Sequence, residues 1–457
     1  MSKGGLMVSV SGIRGRVGEA LDPEVVARFA AAFGAWAMAR GGSTSIVVGR
    51  DSRVSGPLFH RVVLSALESV GCSPIDIGMA PTPTVQLAVE HHHAAGGLAI
   101  TASHNPIEWN ALKFIGPDGL FLAAEDGAAM RRLVDDGIRY VEWHELGTTT
   151  SDPGAVERHI DSVLALPMID VDAIRARRFR VALDCCHGAG SVIMPALLQR
   201  LGCEVAAIGM TPDGRFPRPP EPVADQLGDL EALVRSHGAA VGFATDPDVD
   251  RLALVLDDGV APGEDYTLAL ASRVVLRRKA GMVVTNLSTS RVLDDTAALF
   301  GTSVVRAPVG EVNVAVRMRE LGAVIGGEGN GGVILPDLHL GRDAPLGVAL
   351  ILQLMVVEGR PLTSLVNELP RYAIVKDKLP RPDVALDEVY AALRDRFPDA
   401  GTDVQDGLRL EWPDAWLHVR PSGTEPIVRV IAEAPDEERA RRLVRESREP
   451  LEALAVG

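Results

Sequence analysis

Lysine is scarce in this chain: of its 46 basic residues only those at positions 3, 113, 279, 376 and 378 are lysines, and the rest are arginines. Aromatic side chains make up 4%, so the cores have to be assembled from Val, Leu, Ile and Ala. Trp36 and Trp109 are accordingly read as core residues and not as a platform for stacked bases. The four cysteines, Cys72, Cys185, Cys186 and Cys203, lack any zinc spacing, and reduced thiols are expected. No apolar run reaches the ~20 residues of a membrane span. Val25–Ala39 is interrupted by Arg28 and Leu346–Val357 is too short, so both read as buried helices, and no membrane partner is expected. The opening residues have no apolar run of signal-peptide length, and a cytoplasmic location is expected. Acidic residues outnumber basic ones, 61 to 46, for a formal charge of −15. That balance excludes a general nucleic-acid or anionic-membrane binder. It leaves room for a local basic pocket that takes a small anion.

What is present is glycine and alternation. The chain has 457 residues, 47% hydrophobic and 23% charged, with 46 glycines, which is ordinary globular composition and too long for one core. Short apolar runs alternate with amphipathic helical stretches, the mark of α/β layering. A coarser unit recurs three times. Ser45–Val48 runs into G-R-D-S-R, Arg180–Leu183 into D-C-C-H-G-A-G, and Met282–Thr285 into N-L-S-T-S-R; helical segments such as Leu58–Val70 and Val192–Leu201 follow. Each unit later has a second apolar run ending in a denser polar loop: Gly97–Ile100 before T-A-S-H-N-P, Ala240–Ala244 before T-D-P-D-V-D-R, and Ala323–Ile325 before G-G-E-G-N-G-G. Loops at the carboxyl ends of strands are where open sheets bind ligands. From about Arg371 the chain turns Pro- and charge-rich, which reads as a linker and hinge over 371–382. A helix at Leu386–Arg396, strands at Leu408–Trp412, Trp416–Val419 and Ile427–Ala432, and a charged helix from Pro435 follow. The expected organisation is three related α/β domains, 1–150, 151–255 and 256–370, and a smaller C-terminal α+β domain, 371–457, around a central cleft.

Four loops carry chemistry. In T-D-P-D-V-D-R the carboxylates of Asp246, Asp248 and Asp250 occupy alternate positions, which share one face of an extended segment. An all-oxygen set of this kind suits Mg²⁺; a polar surface turn is the plainer reading. In T-A-S-H-N-P, Ser103 stands beside His104. A turn-forming serine is the alternative, but the G-x-S-x-G elbow of acyl transfer is absent, whereas phosphoryl transfer needs mainly positioning and charge neutralisation. Lys113 offers that site a single movable cation. R-P-S-G-T-E-P (Arg420–Pro426) can wrap a phosphate with guanidinium, hydroxyl and backbone donors. G-G-E-G-N-G-G supplies an acceptor, Glu328, and a mixed donor–acceptor, Asn330, suited to reading sugar hydroxyls; a glycine-rich hinge would look the same. It is no nucleotide fingerprint. The consecutive histidines His91–His93 point in different directions and read as a half-buried helix end.

Taken together and in this order, the four loops resemble the α-D-phosphohexomutase superfamily over essentially the whole chain. The resemblance implies a phosphohexose mutase, an isomerase that moves phosphate between the C1 and C6 hydroxyls through phospho-Ser103 and a sugar 1,6-bisphosphate, which also serves as primer. It implies one Mg²⁺ held by Asp246, Asp248 and Asp250 with a serine-phosphate oxygen. Glu328 and Asn330 match the sugar-recognition loop, and Arg420, Ser422, Gly423 and Thr424 match the loop for the non-reacting phosphate. Arg14 lines the same cleft, His104 and Lys113 match positions for proton handling, and Arg251 follows the metal loop. The chain departs from the family with Pro247 where glycine is common, Asn330 for a serine, Gly332 for a histidine, and V-G-E-V at Val309–Val312. Glu311, placed near C2, would favour an ammonium, so glucosamine phosphates are expected ahead of glucose or mannose phosphates. A metal-dependent sugar phosphatase or a phosphosugar sensor are the competing classes.

Overall fold

The computed structural model describes residues 5–9, 12–40, 42–381, 384–421 and 427–455, with the side chains of 453–455 excepted. The sequence repeat is a structural one. In the first unit the strand Ser45–Arg50 lies parallel to Ser73–Met79 and Gly96–Ile100, and Trp109–Ile115 returns antiparallel beside Gly96–Ile100. In the second, Arg180–Asp184 lies parallel to Glu204–Ile208 and Val241–Thr245, with Leu252–Val255 antiparallel to the latter. In the third, Val283–Asn286 lies parallel to Val304–Ala307 and Ile325–Glu328, with Gly332–Ile334 antiparallel. Each unit is thus three parallel strands closed by one hairpin, and in each the hairpin's connecting loop is the polar loop singled out above. The first sheet is extended by Gly12–Arg16, antiparallel to Trp109–Ile115, which carries Arg14 to the same end.

Local chemistry starts the two long apolar helices. Asp22 caps Pro23–Ala39 by accepting from Val25 N at 2.9 Å, with proline in the first turn; Asp343 does the same for Ala344–Glu358 through Leu346 N at 2.8 Å. Pro at the first position and an aspartate cap are strong start signals. Ala344–Glu358 ends at Gly359, whose φ of 63° is a left-handed stop. Buried nearly all round, it anchors one apolar core that is continuous from Ile160 to Val366 across the second and third units. The first unit and the C-terminal domain have cores of their own. Trp36 is buried and stacks on Phe33, as expected. His92 closes the helix end of the histidine run by meeting Asp152 at 2.8 Å. All four cysteines are free. Among the described residues no helix is long and apolar enough to cross a membrane.

The C-terminal sheet runs in the order Ala373–Pro380, Ile427–Ala434, Trp416–Pro421, Leu408–Glu411, Gly401–Asp403. This corrects the reading of 371–382 as a linker. Ala373–Pro380 pairs residue for residue with Ile427–Ala434, as an edge strand, where a terminal proline is tolerated.

Candidate active site

Ser103 follows the strand Gly96–Ile100 and is 7% exposed, with a left-handed φ of 48°. Such a conformation costs a non-glycine residue about 1–3 kcal/mol and persists only where the surroundings over-determine it. Here they do. Arg53, fully buried, donates to the backbone carbonyls of Ser103 and Asn105 (both 2.6 Å), Pro106 (2.7 Å) and Trp109 (2.8 Å), and pairs with Asp51. Thr101 Oγ1 accepts from Ser103 N at 2.9 Å and donates to Asp51 at 2.6 Å. The serine hydroxyl is thereby aimed at the second unit, donating to Asp246 Oδ2 at 2.8 Å, with His104 Nδ1 at 3.5 Å.

The three aspartates do converge, but not as one face of an extended segment. The loop is a tight turn: Val249 N returns to Asp246 O at 3.3 Å, and Val249 itself has a left-handed φ of 64°. Pro247 sits at the second turn position, where its fixed φ is an asset. One oxygen from each of Asp246, Asp248 and Asp250 lies within 4.8 Å of the others. Asp248 Oδ2 accepts from Thr82 Oγ1 and Lys113 Nζ, both at 2.6 Å, and Asp250 Oδ2 from Arg342 Nη2 at 2.6 Å and Lys113 Nζ at 3.4 Å. Their Oδ1 atoms are buried and accept no hydrogen bond. Burial, with Asp250 and Asp248 alongside, pushes Asp246 well above the usual carboxylate range. Three converging carboxylates, two of them with a buried oxygen that accepts no hydrogen bond, are a donor set that fits a hard divalent cation.

The cations around this cluster divide into two kinds. Burial opposes the charge of Lys113, but Asp248 and Asp250 outweigh it and hold the ammonium above the ordinary lysine range. Lys113 is therefore a fixed charge on the carboxylates, not a group about to lose a proton. His104 is the reverse: the Arg251 guanidinium, then burial, hold its imidazole well below the ordinary range, so it is neutral. Arg251 anchors on Glu221 at 2.7 Å, and Arg14 on Asn105 at 3.3 Å.

Glu328 is the last residue of the strand Ile325–Glu328, not part of a free loop. It accepts from Asn286 Nδ2 (2.8 Å), Gly310 N (3.1 Å), Arg342 Nη1 (2.7 Å) and Asn330 Nδ2 (3.3 Å). Burial works against its charge, and Arg342 with Asn286 outweighs that. The glycines here are packed, not a hinge: at Gly331, φ 87°, an added Cβ would fall 2.3 Å from the Leu252 carbonyl. Glu311 is buried and already engaged, accepting from Gln86 Nε2 at 3.2 Å and Arg342 Nε at 3.0 Å. Glu311, expected near C2 of the sugar, therefore faces Arg342 and Gln86 as its partners within the protein. Arg420 donates to Asp406 at 2.9 Å, and the same Asp406 oxygen accepts from Val309 N at 3.1 Å. Ser422, Gly423 and Thr424 lie outside the described residues.

Sequence reasoning missed Arg53, Asp51, Asp406 and Arg342. G-R-D-S-R was visible as a turn, with nothing to say that its second arginine folds inward. The one trace of Arg342 was the space left by glycine at 332.

Residues 6–139, 157–259, 263–372 and 374–449 match, in order, alpha/beta/alpha domains I, II and III and the C-terminal domain of phosphoglucomutase/phosphomannomutase. A probable phosphoglucosamine mutase of Methanopyrus kandleri is 40% identical over 443 residues, 96% of either chain. A phosphoglucomutase/phosphomannomutase of Thermococcus kodakarensis is 38% identical over 443 residues, again 96% of either chain. A crystal structure of a phosphoglucomutase/phosphomannomutase family protein from Burkholderia thailandensis superposes with a TM-score of 0.85 at 26% identity, covering 99% of both chains.

Proposed function

Because the chain belongs to the phosphoglucomutase/phosphomannomutase family and is an isomerase of hexose phosphates, we propose that its phosphoryl carrier is Ser103 and its preferred sugar glucosamine phosphate. The observation that carries the first part is the strained, buried Ser103 with its hydroxyl 2.8 Å from Asp246. Phosphoryl transfer needs a positioned oxygen and compensated charge more than covalent help from the protein, and both are built here.

In this reading the P–Oγ bond of phospho-Ser103 breaks as a bond forms from phosphorus to the free hydroxyl of a hexose monophosphate. The hydroxyl proton passes to His104, which is neutral and 3.5 Å from Ser103 Oγ. His104 hands that proton to the leaving Ser103 Oγ; the sugar 1,6-bisphosphate turns over in the cleft, its other phosphoryl group returns to Ser103, and the serine proton passes back through His104 to the sugar oxygen that is released. Lys113, Arg251 and Arg14 supply fixed positive charge around the moving group. Glu328 and Asn330 read hydroxyls on the ring edge, and Arg420 with the loop after it holds the phosphate that is not reacting. Asp246, Asp248 and Asp250 would hold Mg²⁺ with a phosphoserine oxygen, and the ion, when bound, supplies charge neutralisation to the transferred phosphoryl group. A phosphatase would share the carboxylates, but would release phosphate and need no bisphosphate primer.

Two observations favour glucosamine. The Methanopyrus kandleri relative bears that name, and three carboxylates, Asp250, Glu311 and Glu328, gather around Arg342, with Lys113 as a further cation on Asp250. An ammonium entering beside these carboxylates gains from their proximity without a dedicated oxygen. The glucose/mannose reading is favoured by the Thermococcus kodakarensis relative and by the engagement of Glu311. The test is kcat/KM on glucosamine 6-phosphate, glucose 1-phosphate and mannose 1-phosphate, primed with glucose 1,6-bisphosphate. A lead of about tenfold or more for glucosamine phosphate, near 1.4 kcal/mol, is expected. A tenfold lead for either neutral sugar assigns the second reading.

A further inference from the structure

Gly332 and Arg342 compete for one space. A Cβ at position 332 would lie 2.2 Å from Cδ and 2.8 Å from Cγ of Arg342, whereas the next neighbour, Asn330 Oδ1, is 3.2 Å away. The backbone of Gly332 is not left-handed, so what a side chain there would displace is the arginine. Through that gap Arg342, 7% exposed, reaches three carboxylates with three different nitrogens: Nη2 to Asp250 at 2.6 Å, Nη1 to Glu328 at 2.7 Å, Nε to Glu311 at 3.0 Å. These acids come from the second unit's aspartate turn, from the end of the third unit's strand, and from the start of the helix Glu311–Leu321. Only a rigid, planar fork can serve three acceptors arranged in this way; an ammonium is a point charge on a flexible stem. The contact leaves Asp250 with its Oδ1 free of hydrogen bonds, Arg251 Nε lying 3.8 Å away, and completes the fixing of Glu328, whose Oε1 is taken by Asn286 and Gly310.

We infer that Arg342 is a positioning residue that ties the aspartate turn to the sugar-reading carboxylate Glu328, in a space that only glycine at 332 leaves open. The inference rests on the roles proposed above for Asp250 and Glu328. It means that the metal-holding and sugar-reading parts of the site are joined through one side chain, and that a side chain at 332 is accommodated only where Arg342 gives way. It also makes Arg342 a competitor for Asp250. Removing its charge strengthens the hold of the aspartates on a divalent cation while loosening Glu328, so the two halves of the site respond in opposite directions.

The test uses the full-length protein as wild type, G332A, R342A, the G332A/R342A double variant, R342K and R342M. Without metal or sugar, G332A lowers Tm in the wild-type background and has no further effect on R342A; equal losses in both backgrounds overturn the shared space. Mn²⁺ binding, followed by electron paramagnetic resonance without sugar, tightens in R342M by about threefold or more because one cation fewer shares Asp250. Calorimetric titration with glucosamine 6-phosphate and glucose 6-phosphate shows binding weakened by about tenfold in R342K and G332A, the cost of one lost charged hydrogen bond. A merely structural arginine would shrink the folded fraction and leave both affinities of the folded molecules unchanged, and that result overturns the proposal. R342K and G332A keep the buried charge, so they decide the matter even if R342A does not fold. Failure of the wild type to isomerise any hexose phosphate would count against the proposed function alone, since the Tm cycle and the Mn²⁺ titration read Arg342 without it.

Discussion

The hydroxyl of Ser103 donates to Asp246 Oδ2 at 2.8 Å across the junction of the first and second α/β units. Neither residue could reach the other without the left-handed backbone at Ser103 and the tight turn that carries Asp246. A phosphate on that hydroxyl would sit against three carboxylates, which is tolerable only with a cation between them. Chelation is therefore expected to abolish turnover and Mg²⁺ to restore it. Asp248→Asn should lower kcat by about a hundredfold or more, near 3 kcal/mol. Steady-state rates before and after metal stripping check both; a metal-stripped enzyme at full rate contradicts the assignment.

Arg53 donates to four backbone carbonyls of the Ser103 loop and its neighbours. Arg53→Met takes the guanidinium from these carbonyls and leaves the buried Asp51 without its countercharge, held only by Thr101 and the backbone N–H of residue 53, which costs about 3–5 kcal/mol of stability. Arg53→Lys retains the charge but serves fewer carbonyls, and is expected to fold while losing kcat more than KM. Thermal melts and kinetics on the two variants check this; an Arg53→Lys enzyme with wild-type kcat would show that the loop holds its own shape.

Asp265 is half-buried beside Ser290, whose N–H it accepts at 2.8 Å, and desolvation by its surroundings raises its pKa to about 7. The folded protein then keeps a proton that the unfolded chain has released above its ordinary range. Stability attributable to this group is present below the unfolded pKa, falls as pH rises towards 7, and stays low above it. Asp265→Asn removes this dependence and should stabilise the protein at pH 8 by roughly 4 kcal/mol, the equivalent of about three pKa units. Melting curves between pH 5 and 8 check it: the advantage of the variant should grow with pH, and parallel curves would contradict the account.

Asp406 joins the C-terminal domain to the third unit, one oxygen accepting from both Arg420 and Val309 N. Asp406→Ala frees Arg420 and loosens the Val309–Glu311 segment. KM for the sugar phosphate is expected to rise about tenfold, with kcat little changed. An unchanged KM, with X-ray scattering showing no greater opening of the molecule, would mean that the contact does not govern how the domain closes.

Much of this was legible in the primary structure. The α/β repeat, the serine loop and the C-terminal helix Leu386–Arg396 follow from hydrophobic period and turn chemistry, which are local; the three aspartates were legible as a set, but on an extended segment and not on the tight turn they form. Two kinds of feature were not. Ala373–Pro380 looks like a linker because its charges and prolines are those of an edge strand, and edges carry such residues to avoid further pairing. Arg53, Asp406 and Arg342 act over long separations, Arg342 reaching 92 residues back to Asp250. No local pattern tells an arginine that folds inward from the many that face solvent. The partner of Glu311 was hidden for the same reason: Arg342 is 31 residues away.

The central claim is that Ser103 carries the phosphoryl group. Its most direct test is transfer of labelled phosphate from ³²P-glucose 1,6-bisphosphate to the purified protein, with the label then mapped by peptide mass spectrometry. The account predicts label on Ser103, chased off by unlabelled hexose monophosphate and absent from Ser103→Ala, which is inactive. Label on another residue, or a Ser103→Ala enzyme at full rate, would contradict it.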